Sequence, residues 1–278
     1  MNAQSPLKTP TAARTQPRAI GSVRVSTKTV GGHTAIDGLY QQGAAKAVFP
    51  RAARGLTAVL LNTSGGVTGG DRFDYGATAG PGTHLTLTTQ ACERAYRAQP
   101  GEVGRVDTRL AVQDHATLWW LPQETLIFDG CAMTRHLSCD LAPTARALIV
   151  EPMCLGRIAM GEDHVQGHFA DRISITRAGA PLVMDAWTLS GGMTARMAGA
   201  AVGGGATAMV SLTYVAPDAA AHLKTIRALL PDTGGASLLT ENTLVLRSLA
   251  PSGYHLRTAL LPILDHLTGG HLPLCWRL

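Results

Sequence analysis

The sequence predicts a mainly β protein: a long stack of short strands, sandwich or β-helix-like, with two helices in the C-terminal third. Three observations carry this. Apolar residues recur at every second position over the first two thirds of the chain, turn residues interrupt them at short intervals, and helical spacing is confined to the last third.

Each element follows from its period. Val106, Thr108, Leu110 and Val112 interleave with Asp107, Arg109 and Ala111; Leu85 and Leu87 sit among His84, Thr86 and Thr88; Ile173 and Ile175 alternate with Arg172, Ser174 and Thr176. Successive side chains of a strand point to opposite faces, so these segments are expected to be half-buried strands. Residues 56–62 (LTAVLLN) and 145–153 (ARALIVEPM) are apolar almost throughout, as expected for strands covered on both sides. Gly31-Gly32, Pro81-Gly82, Pro100-Gly101, Asp129-Gly130 and Gly191-Gly192 punctuate the series. Residues 217–232 open with Pro217 and Asp218, stop at Pro231, and place Ala221, Leu223, Ile226, Leu229 and Leu230 on one broad helical face. Residues 251–270 carry the second helix, with Pro262 as a kink or break and Gly269-Gly270 as the stop. Residues 241–250 between them are expected to form a strand, and the glycine-rich 198–208 a connector too weak to divide the chain. Residues 1–20 are expected to be a disordered basic tail and residues 21–278 a single β-rich domain.

Composition narrows the partners. With 278 residues, 45% of them hydrophobic, a sizeable core is expected; with 5% aromatic it must be largely aliphatic. Part of the net charge of +5 comes from Lys8, Arg14 and Arg18 in an acid-free start. No basic stripe is interleaved with aromatics, so nucleic acid is not an expected partner. No run of about 18 apolar residues predicts a membrane helix. Five cysteines, an odd number with no CxxC, argue against a disulfide framework or zinc knot and for a reducing cytoplasm. Cys131 and Cys139 are expected to be buried apolar thiols.

The stretch LLNTSGGVTGGDRF (60–73) poses the question of a phosphate loop. Gly65 and Gly70 have the P-loop glycine spacing, but Asp71 stands in the lysine slot and Arg72 in the Ser/Thr slot. A carboxylate aimed at a triphosphate has the wrong charge, and RFDYGATAGPG offers no helix N-terminus behind it. The glycines are expected to let the backbone turn sharply or approach another segment closely.

Set beside TTQACERAYRA (88–98), LPQETLIFDGC (121–131), EPMCLGRIAMGE (151–162) and GHFADRISITRAG (167–179), that loop resembles the urease accessory protein UreD family, called UreH in some organisms. The resemblance runs in order from about Val25 to the terminal CWRL. It implies a mainly β stack with two C-terminal helices, and a non-enzymatic scaffold. Such a scaffold binds apo-urease with UreF, and through it the GTPase UreG, and passes Ni²⁺ along a wet internal route in a GTP-dependent step. It places part of the UreF contact in the helical third. The alternative is a metal-dependent hydrolase with a carboxylate site on a β-rich fold, against which stand the absent GxSxG and HExxH motifs.

By the resemblance, Asp71, Glu124 and Glu162 match family acids and are assigned transient Ni²⁺ contact. For Glu124 and Glu162 the alternative is a salt bridge, with Arg157, Arg94 or Arg97. Glu151, Asp129 and Asp171 stand behind them. His164 and His168, in EDHVQGH, have a helical ligand spacing, yet Gly161 and Gly167 argue for loop or strand and the family motif requires neither. Arg94, Tyr96 and Arg97 are expected to shape the fold or a partner surface. Without HxH, CxxC or a histidine-rich tail, no tightly bound cofactor is expected, only Ni²⁺ in transit; isolated carboxylates bind such an ion weakly enough to release it.

Overall fold

The computed structural model describes residues 16–277. The expected tail therefore lies outside the described residues up to residue 15, while Ile20 already opens the first strand.

The chain begins with a hairpin of β1 (Ile20–Val30) and β2 (His33–Gly43), then β3 (Ala45–Val48) and β4 (Leu56–Asn62). From there it coils. β5 (Arg72–Ala79), β6 (His84–Thr89) and β7 (Glu93–Ala95) form one coil; β8 (Gly104–Val112), β9 (Thr117–Leu121) and β10 (Thr125–Ile127) the next; β11 (Cys131–Leu141), β12 (Arg146–Leu155) and β13 (Gln166–Arg177) follow. Strands stack in parallel on their counterparts in the neighbouring coil: β1, β5, β8, β11 and β13 in one sheet, β4, β6, β9 and β12 in the other, with β7 and β10 as a third, narrow side. Antiparallel β14 (Ala180–Gly192) and a short helix, α1 (Met193–Met197), end the coil. The second sheet continues through β15 (Ala208–Val215), β17 (Thr243–Ala250) and β16 (Gly234–Thr240); α2 (Ala219–Leu229) and α3 (Gly253–Thr268) lie on its outer face. The expected stack is thus a solenoid of the β-helix kind closed by two helices.

The period of two decides what is inside. In β8 and β11 alternate residues are buried, among them Val106, Leu110, Met133 and Leu137. β12 is buried at nearly every position because both faces are covered. Ala147, Ile149 and Met153 point into the solenoid core; Leu148, Val150 and Cys154 point at the helix layer. Trp119 and Trp120, adjacent in β9, divide in the same way. The expected half-exposure of His84, Thr86 and Thr88 is corrected: all three are buried, and the C-terminal segment reaches this face, where Cys275 Sγ lies 3.4 Å from Thr88 Oγ1.

Pro262 neither breaks nor ends α3. Its buried stripe Leu256, Leu260, Ile263, Leu264 and Leu267 runs straight past the proline, which sits on the exposed side. Ser252 caps the start, accepting from His255 N, and Gly269 stops the helix at φ 62°. Burying each such leucine contributes about 1.5–3 kcal/mol, which outweighs the missing backbone bond at Pro262 when summed along the stripe. α1, at five residues, is too short to show a helical period, and β16 (GGASLLT) carries no alternation that would announce a strand.

Candidate functional site

The glycine loop joins β4 to β5, and a strand follows it. Its glycines serve close approach. A Cβ on Gly66 would lie 2.4 Å from the Tyr96 ring and 2.6 Å from the Arg94 carbonyl oxygen, because Val67 pairs with Ala95 of β7. Asp71 then closes the loop on itself. Its Oδ2 accepts from Thr68 N at 2.9 Å and its Oδ1 from Ala19 N at 2.7 Å, which ties the chain ahead of β1 to the loop. Asp71 is buried, and among the described residues no Lys, Arg or His nitrogen lies within 4 Å of its carboxylate.

Next to it is an acid that the sequence reading passed over. Glu93 shares the inward face of β7 with Ala95. Asn62 Nδ2 donates to its two oxygens at 3.1 and 3.2 Å, and Arg94 N to Oε1 at 3.1 Å. Burial pushes its carboxyl above the usual range, and the charge of Asp71 adds to the push. Tyr75 is pushed up as well, by burial first and by Glu93 second. Asp71, buried, and Glu93, half-buried, are thus neighbouring acids held by amide donors, with no ion pair to either among the described residues.

The two other expected acids sit elsewhere. Glu124 faces the helix layer, where Arg257 of α3 grips it with Nε at 3.1 Å from Oε1 and Nη2 at 2.8 Å from Oε2. Arg257 also bonds Gln123 and the Trp276 carbonyl, and lies over the Trp276 ring. Cys92 donates to Glu124 at 3.3 Å; burial, then the Glu124 charge, raise its thiol to about 11, so it is no thiolate at neutral pH. Glu162 lies near the surface, doubly bonded by Arg157 at 3.0 Å to each oxygen, and it accepts from Asp129 N at 3.2 Å. The Arg157 hydrogen bonds hold its carboxyl below the usual range. Of the salt-bridge partners weighed from sequence, Arg157 is the one used, by Glu162, whereas Glu124 takes an arginine 133 residues away.

The structure does not bring Asp71, Glu124 and Glu162 into one cavity. An opening of about 640 Å³ on the first sheet, between Arg24, Tyr40, Asp74, Arg109 and Asp140, reaches none of them. His164 is solvent-exposed beside Asp163, and His168 in β13 bonds Ser190 at 2.8 Å, so the two do not converge. Among the described residues no three His, Cys, Asp or Glu side chains are grouped to hold a metal ion. Asp129 pairs with Arg97.

Glu151 and Asp171, ranked second from sequence, form with Arg135 the most deeply buried ion pairs among the described residues. Arg135 of β11 donates Nε and Nη2 to Asp171 of the adjacent β13 at 3.0 and 2.7 Å, and Nη1 to Thr125 at 3.0 Å. Glu151 Oε1 accepts from Trp120 Nε1 at 2.7 Å; its Oε2 lies 2.5 Å from Arg135 Nη1, close as an ion pair but off the line of a hydrogen bond. Burial raises the Glu151 carboxyl; Arg135 opposes that rise and Asp171 adds to it. Among the described residues, four inward-facing acids, Asp71, Glu93, Glu151 and Asp171, therefore have one ion-paired guanidinium, that of Arg135. Arg135 and Asp171 carried a signal in the sequence: each occupies an inward position of a period-two series, Met133-Arg135-Leu137 and Phe169-Asp171-Ile173.

Glu93 gives a pH prediction. Its folded-state pKa lies above the unfolded value of about 4.3, so the native state binds the extra proton between the two. Its contribution is most favourable below the unfolded value and is lost as pH rises through the folded one. Glu93→Gln removes the titration and keeps an acceptor for Asn62. In thermal melts from about pH 4 to 8, the variant is expected to gain on the wild type as pH rises; a constant difference would refute the assignment.

Fold and site together define a class: a two-sheet β-solenoid, capped by helices, whose interior carries carboxylates in excess of cations. The chain belongs to the UreD urease accessory protein family, whose model matches residues 19–277. The urease accessory protein UreD of Ruegeria pomeroyi is 50% identical over 255 residues, covering 91% of this chain and 99% of that protein. That of Roseobacter denitrificans is 48% identical over 263 residues, 95% and 96% of the two chains, and that of Rhizobium johnstonii 42% over 270 residues, 96% and 98%. A role in urease maturation follows from the family. No helix among the described residues is long and apolar enough to cross a membrane.

Proposed function

We propose that this chain is the scaffold that, with UreF and UreG, holds apo-urease and conducts Ni²⁺ to its dinuclear site in a GTP-dependent, cytoplasmic assembly. The observation that carries this reading is the Asp71–Glu93 pair: a buried and a half-buried acid that meet only neutral donors within bonding distance. Unpaired carboxylates in a protein interior are costly unless water or a cation accompanies them. A divalent ion passing between single carboxylates is bound through oxygen, too weakly to be trapped. In this reading Asp71 and Glu93 are open contact points. Glu124 and Glu162 contact the ion only when Arg257 or Arg157 swings aside, so those arginines act as gates. Glu151 and Asp171, with one arginine between them, extend the negative interior toward the last coil.

UreF is assigned the outer side of the helical third, where Tyr254 and Leu274 stand exposed. The test is to express this chain with a urease operon lacking its own copy. Restored nickel content and urease activity are expected; urease that stays apo in the presence of the soluble chain would overturn the proposed role.

A further inference from the structure

Away from the interior acids, and independent of the proposed conduit, the outer face of the second sheet carries a cationic patch. The connection from β3 to β4 supplies Arg51 and Arg54. Gly55, at φ 61°, presses this connection onto β6: a Cβ there would lie 2.2 Å from the His84 carbonyl oxygen. The Arg54 guanidinium lies over the buried Trp119 ring, 5.5 Å from its centroid. Arg54 lines two openings at once. One, of about 360 Å³, it shares with Arg51, His271 and Arg277; the other, of about 480 Å³, with His115 and Arg146. Among the described residues no Asp or Glu lines either opening. Asp265 pairs with Arg277, whereas Arg51, Arg54 and Arg146 make no ion pair and no side-chain hydrogen bond among the described residues. The neighbouring acids Asp218 and Asp114 accept from the hydroxyls of Tyr214 and Thr144.

A buried donor stands between the two openings. His84 is nine-tenths buried; its Nε2 lies 3.3 Å from Thr86 Oγ1, and its Nδ1 is buried without a hydrogen-bond partner among the described residues. Burial first, then Arg54 and His271, push its pKa down to about 4, so the ring is neutral at pH 7 and carries one N–H. With the Thr86 hydroxyl donating to Nε2, that N–H is on Nδ1. Thr86 lines the first opening, and Thr117, which pairs with His84 between β6 and β9, lines the second.

We propose that Arg54 is the centre of a binding site for a phosphate-type ligand with two anionic groups, a diphosphate, one group in each opening. A guanidinium presents N–H donors on more than one edge, so a single arginine can serve both groups. Its flat face rests on Trp119, which fixes the fork and leaves the edges to the ligand. Arg51 and His271 complete one side, Arg146 and His115 the other. Hydrogen bonds from arginine to such oxygens are charge-assisted and about twice as strong as neutral ones. The ligand also neutralises a group of like charges that repel one another, and it offers the His84 N–H an acceptor.

The test uses the purified full chain with sodium pyrophosphate and, separately, inorganic phosphate, read by calorimetry and thermal melts. The wild type is expected to bind one pyrophosphate, at least about tenfold more tightly than phosphate, with a melting temperature that rises with added ligand and an affinity that falls as NaCl is added. Arg54→Gln is expected to weaken pyrophosphate binding at least about tenfold, and Arg51→Gln and Arg146→Gln about threefold or more each. All three side chains are exposed, so the fold is expected to hold, which melts without ligand check. Arg109→Gln, on the first sheet and ion-paired with Asp74, is the control and is expected to leave binding unchanged. Binding by Arg54→Gln equal to that of the wild type, equal affinity for the two anions, or no binding by the wild type would overturn the proposal. So would capture of a glutamate-rich peptide without uptake of pyrophosphate, which would make the patch a protein-docking surface instead.

Discussion

Arg135→Leu is expected to destabilise the protein by about 3–5 kcal/mol, because breaking a buried ion pair leaves uncompensated charge behind. Here the remaining groups are Asp171 and Glu151, both almost fully buried, in a core built of Met133, Leu137, Phe169 and Ile173. Asp171 loses two hydrogen bonds, Thr125 its partner and Glu151 the guanidinium beside it. For a chain of this size the melting temperature should fall by about 10 °C at neutral pH. The loss should shrink at acid pH, where Glu151, already raised by burial, takes up a proton more readily than an ordinary glutamate. Adding Asp171→Asn and Glu151→Gln to Arg135→Leu should restore part of the stability. A drop under about 1 kcal/mol would mean that solvent reaches this cluster and that the interior is wetter than the packing implies.

The second large effect is expected at the end of the chain. Trp276 is fully buried, donates Nε1 to the Leu121 carbonyl at 2.9 Å, and lies beneath the Arg257 guanidinium. Trp276→Ala should cost about 3–5 kcal/mol in denaturant unfolding, from the lost ring and the cavity it leaves. The consequence for the site is specific. Arg257 loses the ring it stacks on, and the pocket holding Glu124, Gln123 and Cys92 opens. Cys92, whose thiol is now held up at about 11, should react faster with a thiol reagent in the variant than in the wild type. Unchanged reactivity together with unchanged stability would show that the C-terminal segment does not close this pocket.

The two predictions mark what alternation could reveal and what it could not. Val106, Leu110, Ile173 and Ile175 were legible as inward residues because a strand's faces follow from position alone. The same rule, applied to the polar members of the series, singles out Arg135 and Asp171. It does not show that they pair, since their meeting depends on how β11 and β13 register in parallel. β7 and β10 are three residues each, too short for any period, and they decide that Glu93 and Thr125 face inward. Glu124 could be picked out as a motif acid, but its partner Arg257 is brought to it by the helix layer and not by nearby sequence. The aspartate closing the glycine loop was legible from its charge in a place where a phosphate loop needs lysine. Its bond to Ala19 was not, because that segment had been assigned to the tail.

The account rests on the idea that interior acids short of cations exist for a cation's passage. Nickel per urease active site is the measurement that tests it most directly, in a strain whose only copy of this chain carries Glu93→Gln. The account predicts a chain that folds at least as stably as the wild type at neutral pH and still co-purifies with urease, yet leaves the urease short of nickel. Full nickel loading with that variant would contradict it.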